Sequence, residues 1–269
     1  MLMPDLALTQ RLEFHEAWSS RAHARVQARL YPETGATSLP FAGGHAVYCG
    51  RSPFTQVYGA GLSGPVRAAD LDAVEAFYRD RGSAVHLRLC PLADRSLIDL
   101  LGERPYRVQN FMNVYVQDLR RDAGSTHSVP AGFDIRVATR PESTAWFERL
   151  GAQGDWAEPD GVAFMDIRCT LKPGARLFLA WRDGAPIGGG ALEVHDGMAA
   201  LMAAETLPEF RRQGVQTALL RVRLAAAVEA GCDVAMVHTR PGVASQRNVL
   251  RAGFQVAYTV VEVARHDSP

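Results

Sequence analysis

The chain has 269 residues, room for one or two domains with an ample core, and its 29 basic residues are matched by 29 acidic ones. That balance leaves no excess positive charge to neutralise a nucleic-acid backbone or to hold an anionic membrane surface. Cys49, Cys90, Cys169 and Cys232 are scattered without a Cys-x-x-Cys pair, no basic leader opens the chain, and no apolar run approaches the ~20 residues that span a bilayer. These features exclude a disulfide frame and a zinc site, and predict a reduced, cytoplasmic protein.

In chain order, a strand is expected at 55–62, a helix at 68–81, and an apolar strand at 84–91 closed by Pro91. A short helix follows, and Tyr106 opens another strand, with 111–116 strand-like. Residues 121–130 are small, polar and turn-prone and read as a linker. Beyond it the pattern gives strand 134–138, helix 142–151, and a helical piece at 162–171. Strands 176–181, 187–194 and 198–206 come next, then helix 216–230, strand 233–239, helix 243–252 and strand 254–263. Strands first, then strand–helix–strand crossovers, make an α/β fold with a mixed sheet.

The two halves repeat. Residues 84–91 mirror 234–241, each an apolar strand closed by a proline, about 150 residues apart. Helix 68–81 follows its strand as 216–230 follows 198–206. Gly188-Gly189-Gly190 lies inside a strand with no helix after it, so a bulge or a close backbone approach explains it, and a nucleotide loop does not. His195-Asp196 has no third partner at metal spacing and reads as a hairpin turn, and no metal site is expected.

The segment from Glu205 to Leu220 carries the chemistry. A small-residue strand runs into a turn holding Pro208, then Arg211-Arg212-Gln213-Gly214, then a helix with Leu220, Leu224 and Val228 at helical spacing and Gly231 at its stop. Basic side chains beside the unpaired N–H groups of a helix N-terminus make an anion site, and Gly214 lets the backbone approach without a Cβ in the way. A diphosphate-bearing cofactor is the expected ligand.

Arg211-Arg212-Gln213-Gly214-Val215-Gln216 resembles the Arg/Gln-x-x-Gly-x-Gly/Ala loop of the GNAT N-acetyltransferases, with Gln216 at the usual small-residue position. Thr206-Leu207-Pro208-Glu209-Phe210 resembles that family's strand exit, and Ser245 to Phe254 resembles its helix ending in Gly-Phe. The resemblance implies two tandem GNAT-like domains. The first, 1–120, would be degenerate, because Gly61–Arg67 carries one arginine and no such loop. The second, 131–269, would bind acetyl-CoA, with no metal. It implies contacts to the cofactor from Thr206, Leu207, Arg211, Arg212, Gln213, Gly214, Val215, Gln216 and Thr217, with Ser245 and Asn248 on the later helix. Ser245 has the alternative of capping that helix.

The implied reaction is direct attack of a primary amine on the thioester. Backbone N–H groups at the end of strand 198–206 would steady the oxyanion. Glu205 is the first candidate for general base, with balance of the arginines as its alternative. His238 is the second, with an ordinary strand histidine as its alternative. The tyrosine that the family often uses as acid is replaced by Val249. Trp156, Glu158 and Asp160 fall in a loop that often shapes the acceptor pocket in this family. The acceptor, a small molecule or a peptide, is not legible. A non-catalytic acyl-CoA sensor or scaffold stands as the alternative reading.

Overall fold

In a computed structural model, residues 4–121, 132–151 and 161–266 are described. The first element is a helix absent from the sequence reading, α1 (Leu6–Leu30), 25 residues long and capped by Asp5, whose Oδ1 accepts from the Leu8 N–H. Its buried face carries Glu13, His15, Ser19, Ser20, His23 and Gln27 among the apolar residues, which breaks the stripe that would announce a helix.

Next come β1 (Thr37–Phe41), β2 (Gly44–Tyr48), β3 (Gln56–Tyr58), α2 (Ala68–Arg79), β4 (His86–Leu89), α3 (Arg95–Gly102) and β5 (Tyr106–Asp118). The strand expected at 55–62 is cut to three residues, because Gly59 and Gly61 take positive φ and turn the chain. After the undescribed residues 122–131 come β6 (Asp134–Val137), α4 (Arg140–Gly151) and α5 (Gly161–Asp166), which runs on as a π-helical turn over Ile167–Leu171. The linker therefore falls, apart from Arg121, outside the described residues.

β7 (Ala175–Arg182), β8 (Ala185–His195) and β9 (Met198–Thr206) form an antiparallel meander. Asp196 and Gly197, both at positive φ, make the hairpin turn between the last two. α6 (Val215–Glu229), β10 (Val234–Thr239), α7 (Ala244–Arg251) and β11 (Gln255–Arg265) close the chain, within one or two residues of expectation.

Two compact units emerge, divided otherwise than at 121–130. One comprises residues 3–114 with 256–269; the other is chiefly 115–255. The final strand, adjacent in sequence to the second repeat, thus belongs with the first.

In the first unit the strand order is β1-β2-β3-β4-β11-β5. β1, β2 and β3 are antiparallel, β4 runs parallel to β3, and β11 antiparallel to β4. Its core gathers Val57, Leu71, Val74, Tyr78, Leu87, Leu97 and Val263. On α1, the buried Glu13 accepts from the Tyr258 hydroxyl at 2.8 Å, and Arg88 pairs with Glu16 at 2.9 Å.

In the second unit β6, β7, β8 and β9 are successively antiparallel and β10 is parallel to β9. The end of β5, Tyr115–Asp118, completes it beside β10. Its core includes Tyr115, Phe178, Leu192, Leu201, Leu219, Leu224 and Phe254. Each unit therefore has a run of antiparallel strands, three in the first and four in the second, and then a helix crossing to a strand parallel to the last of them. This is the repeat read from sequence.

Candidate functional site

β9 and β10 are paired only from Met198–Leu201 against Val234–Val237. Beyond Leu201 the two strands part, and His238 is the first residue of β10 past the fork. On the other side of β9 the register with β8 jumps from Ala191↔Met202 to Gly189↔Glu205, and Ala203 takes φ +50°. The result is a bulge at Ala203–Ala204 beside the fork, where main-chain groups are released from the ladder on both sides.

Gly188-Gly189-Gly190 makes the tight packing behind this bulge possible, as the sequence anticipated. A Cβ on Gly189 would lie 2.8 Å from the indole Nε1 of Trp146 on α4. One on Gly188 would lie 2.8 Å from Val215 Cγ1, and one on Gly190 2.7 Å from Cζ of Arg223, both on α6.

From the fork, β9 runs to Thr206 and through a 3-10 turn at Pro208–Phe210 into the arginine loop. Arg212 adopts φ +62° and Gly214, the N-cap of α6, φ +84°. Left-handed residues at alternate positions curl backbone N–H groups into an anion-binding nest. No side chain caps α6, and its first turn holds no acidic residue. The first N–H groups of the helix have no helical acceptor, and the positive end of its dipole is uncompensated.

Arg211 is tied back, its Nε donating to Thr206 O at 3.2 Å and its Nη2 to Glu205 Oε1 at 3.1 Å. Gln213 accepts from Arg182 at 2.7 Å and donates to Glu209 O, bracing the loop from within. Arg211, Arg212, Gln213, Gly214 and Thr217 are exposed, Gln216 half-buried. Thr206, Leu207 and Val215 have buried side chains, and the Leu207 N–H is given to Ile187 O, so these three could meet a ligand only through remaining main-chain groups.

Glu205 is half-exposed, and its Oε1 takes both Arg211 and the Thr206 N–H; Oε2 holds no hydrogen bond among the described residues. His238 is half-buried. On α7, Ser245 is exposed and Asn248 half-buried. Ser245 is not the cap: Val243 holds that position, and the Gln246 side chain reaches back to the Gly242 N–H at 2.7 Å. Val249 is buried in the core, with no polar group to offer as an acid. Trp156, Glu158 and Asp160 lie outside the described residues.

All four cysteines are free and buried. Burial pushes the thiols of Cys49, Cys90 and Cys169 up to about 12, which disfavours the thiolate that a covalent acyl carrier needs. Among the described residues no His/Cys/Asp/Glu group is arranged to hold a metal, and no helix is long and apolar enough to cross a membrane.

A buried arginine lies behind the bulge. Arg223 is 2% exposed on α6, with its Nε on Leu219 O at 3.0 Å and its Nη1 on Ala191 O at 3.0 Å and Met202 O at 3.3 Å. The signal was present: Leu219, Leu220, Arg223, Leu224 and Ala227 form one buried stripe, and an arginine sits in the middle of it.

Residues 138–254 match the family model described as Acetyltransferase (GNAT) family. The fold is similar to that of a GCN5-related N-acetyltransferase from Kribbella flavida, with TM-score 0.64 and 17% identity over 91% of this chain and 96% of the other. It is also similar to a tandem GNAT protein from the clavulanic acid biosynthesis pathway, with TM-score 0.62 and 14% identity over 84% and 78%. A GCN5-related N-acetyltransferase from Sphaerobacter thermophilus gives 0.59 and 17% over 80% and 72%. No curated protein sequence matches the chain. The fork, the bulge and the arginine loop all fall inside residues 138–254, the segment that matches the GNAT acetyltransferase family model.

Proposed function

We propose that the chain is an N-acetyltransferase that moves an acetyl group from acetyl-CoA to a primary amine, in the cytoplasm, where its four free cysteines stay reduced. The observation that carries this reading is the uncapped, acid-free N-terminus of α6 beneath a nest whose residues include Arg211 and Arg212. A pyrophosphate there would be met by backbone N–H groups of 214–217 and by arginine charge. The pantetheine arm would run along the unpaired edge of β9 past Thr206, with Ser245 and Asn248 of α7 near the arm.

The acetyl group would then lie at the fork. The amine nitrogen attacks the thioester carbon, and the carbonyl oxygen becomes an oxyanion held by main-chain N–H groups of the bulge. The C–S bond breaks, CoA leaves as thiolate, and the proton lost by nitrogen passes to a base. Glu205, with Oε2 available, is the first candidate and His238, at the fork, the second. Holding amine and thioester in register is the larger contribution, up to ~7–11 kcal/mol. A thiol of pKa ~8.5 leaves without an acid, so Val249 in the tyrosine position is compatible with turnover.

The first unit keeps the strand–helix–strand pattern but not the anion site. The Asp70 carboxylate sits in the first turn of α2, accepts the Arg67 N–H and pairs with the Arg67 guanidinium at 2.7 Å. The Gly61 N–H is given to Ala42 O, and the Val66 N–H to the Ser96 hydroxyl. We read this unit as having lost the cofactor site.

Release of free CoA from acetyl-CoA, measured with a panel of amino acids, polyamines, aminoglycosides and peptide N-termini, tests the reading. Amine-dependent release with formation of the acetylated amine is the expected result. Tight acetyl-CoA binding with no release on any amine favours a sensor or scaffold instead.

A further inference from the structure

We infer that Arg223 is a positioning residue for acyl transfer, holding the Met202 carbonyl so that the amide on its far side, the Ala203 N–H, is fixed and polarised as an oxyanion donor. The inference rests on the reading that the acetyl-CoA thioester lies at the fork of β9 and β10.

Arg223 is an unusual group to bury. It has no carboxylate partner among the described residues, and its guanidinium donates only to main-chain carbonyls. An uncompensated cation in a core costs several kcal/mol, so packing alone would favour an apolar residue there. Burial pulls its pKa down to about 10, which still leaves it charged at neutral pH. Space is kept for it by Gly190, where any Cβ would lie 2.7 Å from Cζ.

The two acceptors beyond its own helix are the paired residues at which the β8–β9 register breaks, Ala191 and Met202. Met202 O and Ala203 N belong to one planar trans peptide, so a cation on the oxygen withdraws electron density from the N–H pointing the opposite way. Ala203 itself stands at φ +50°, a conformation that needs holding. One guanidinium thus pins the bulge and strengthens its donor, and it touches neither substrate nor cofactor.

The test reads the thioester carbonyl directly and needs no acceptor amine. Acetyl-CoA labelled with carbon-13 at the acetyl carbonyl is bound to the full chain and its resonance compared with that of the free compound. Wild type should move it downfield. Arg223→Met, similar in length but neutral, should lose more than half of that displacement with calorimetric affinity unchanged. Arg223→Lys, which keeps the charge, should retain more than half. A role in packing alone would lower the melting temperature of Arg223→Met and leave the displacement as in wild type, and that result overturns the inference. If Arg223→Met does not fold, Gly190→Ala takes its place. Its Cβ drives the guanidinium off Met202 without removing it, so the displacement must shrink, and a wild-type value counts against us. A wild-type chain that binds acetyl-CoA without any displacement overturns the inference and leaves the proposed activity standing. A chain that binds no acetyl-CoA removes both.

Discussion

Glu205 and Arg223 belong to the same unit and illustrate two kinds of legibility. Glu205 was found from the sequence by its place at the end of a strand before a basic loop. The structure ties one of its oxygens to Arg211 and leaves the other without a hydrogen bond. Both readings offered for it, partner of the arginines and general base, thus survive in different oxygens. They separate by kinetics. A positioned base contributes ~10²–10⁴-fold, so Glu205→Gln should lower turnover on a responsive amine at least ~100-fold while acetyl-CoA affinity stays nearly unchanged, because the amide keeps an acceptor for Arg211. Near-normal turnover in both Glu205→Gln and His238→Ala would show that neither takes the proton. Arg223 by itself gives no signal, because an arginine in a helix is ordinarily solvated. Only the apolar residues on either side of it, at helical spacing, said otherwise.

At the scale of elements, the strongly patterned pieces were legible and α1 was not. β9 and α6 announce themselves through a run of small apolar residues, a basic turn and a terminal glycine. α1 mixes Glu13, His15 and His23 into its buried face, so periodicity fails and only the contacts of the folded unit reveal the helix. Desolvation raises the Glu13 carboxyl above its ordinary value near 4.5, against the opposing pull of Arg88 and the Tyr258 hydroxyl, with Glu16 adding to the rise. The folded state therefore binds the proton more tightly than the unfolded one, and stability falls as pH rises from about that value through the raised one. Thermal melts from acid to neutral pH should show this slope in wild type and its loss in Glu13→Gln; identical slopes would contradict the assignment. The glycine run gives a second expectation. In Gly189→Ala the new Cβ meets the Trp146 indole at 2.8 Å and Leu179 at 2.9 Å. Overpacking of this kind costs ~1–3 kcal/mol, a fall of at least ~2 °C in Tm, readable by calorimetry. An unchanged Tm would mean that the helix yields freely and that the close approach is not specified by the glycine.

For the whole molecule, the repeat was visible and its partition was not. The halves share a strand–helix–strand pattern that periodicity exposes. Which unit owns β11 depends on pairing between residues far apart in sequence, such as Val261 with Leu89, and no local signal carries that. We propose one pyrophosphate site per chain, at the N-terminus of α6, and none at α2, where Asp70 pairs with Arg67 at the helix start. Calorimetric titration of the full chain with a non-hydrolysable acetyl-CoA analogue tests it most directly, alongside Arg212→Ala and Gly214→Val. Saturation should come at one per chain. Loss of a charged hydrogen bond, worth roughly 1.5–3 kcal/mol, should weaken Arg212→Ala about 10- to 150-fold. Gly214→Val, which forces a β-branched residue into left-handed backbone at φ +84°, should lose binding comparably. Saturation at two per chain, or an affinity untouched in both variants, would contradict the claim.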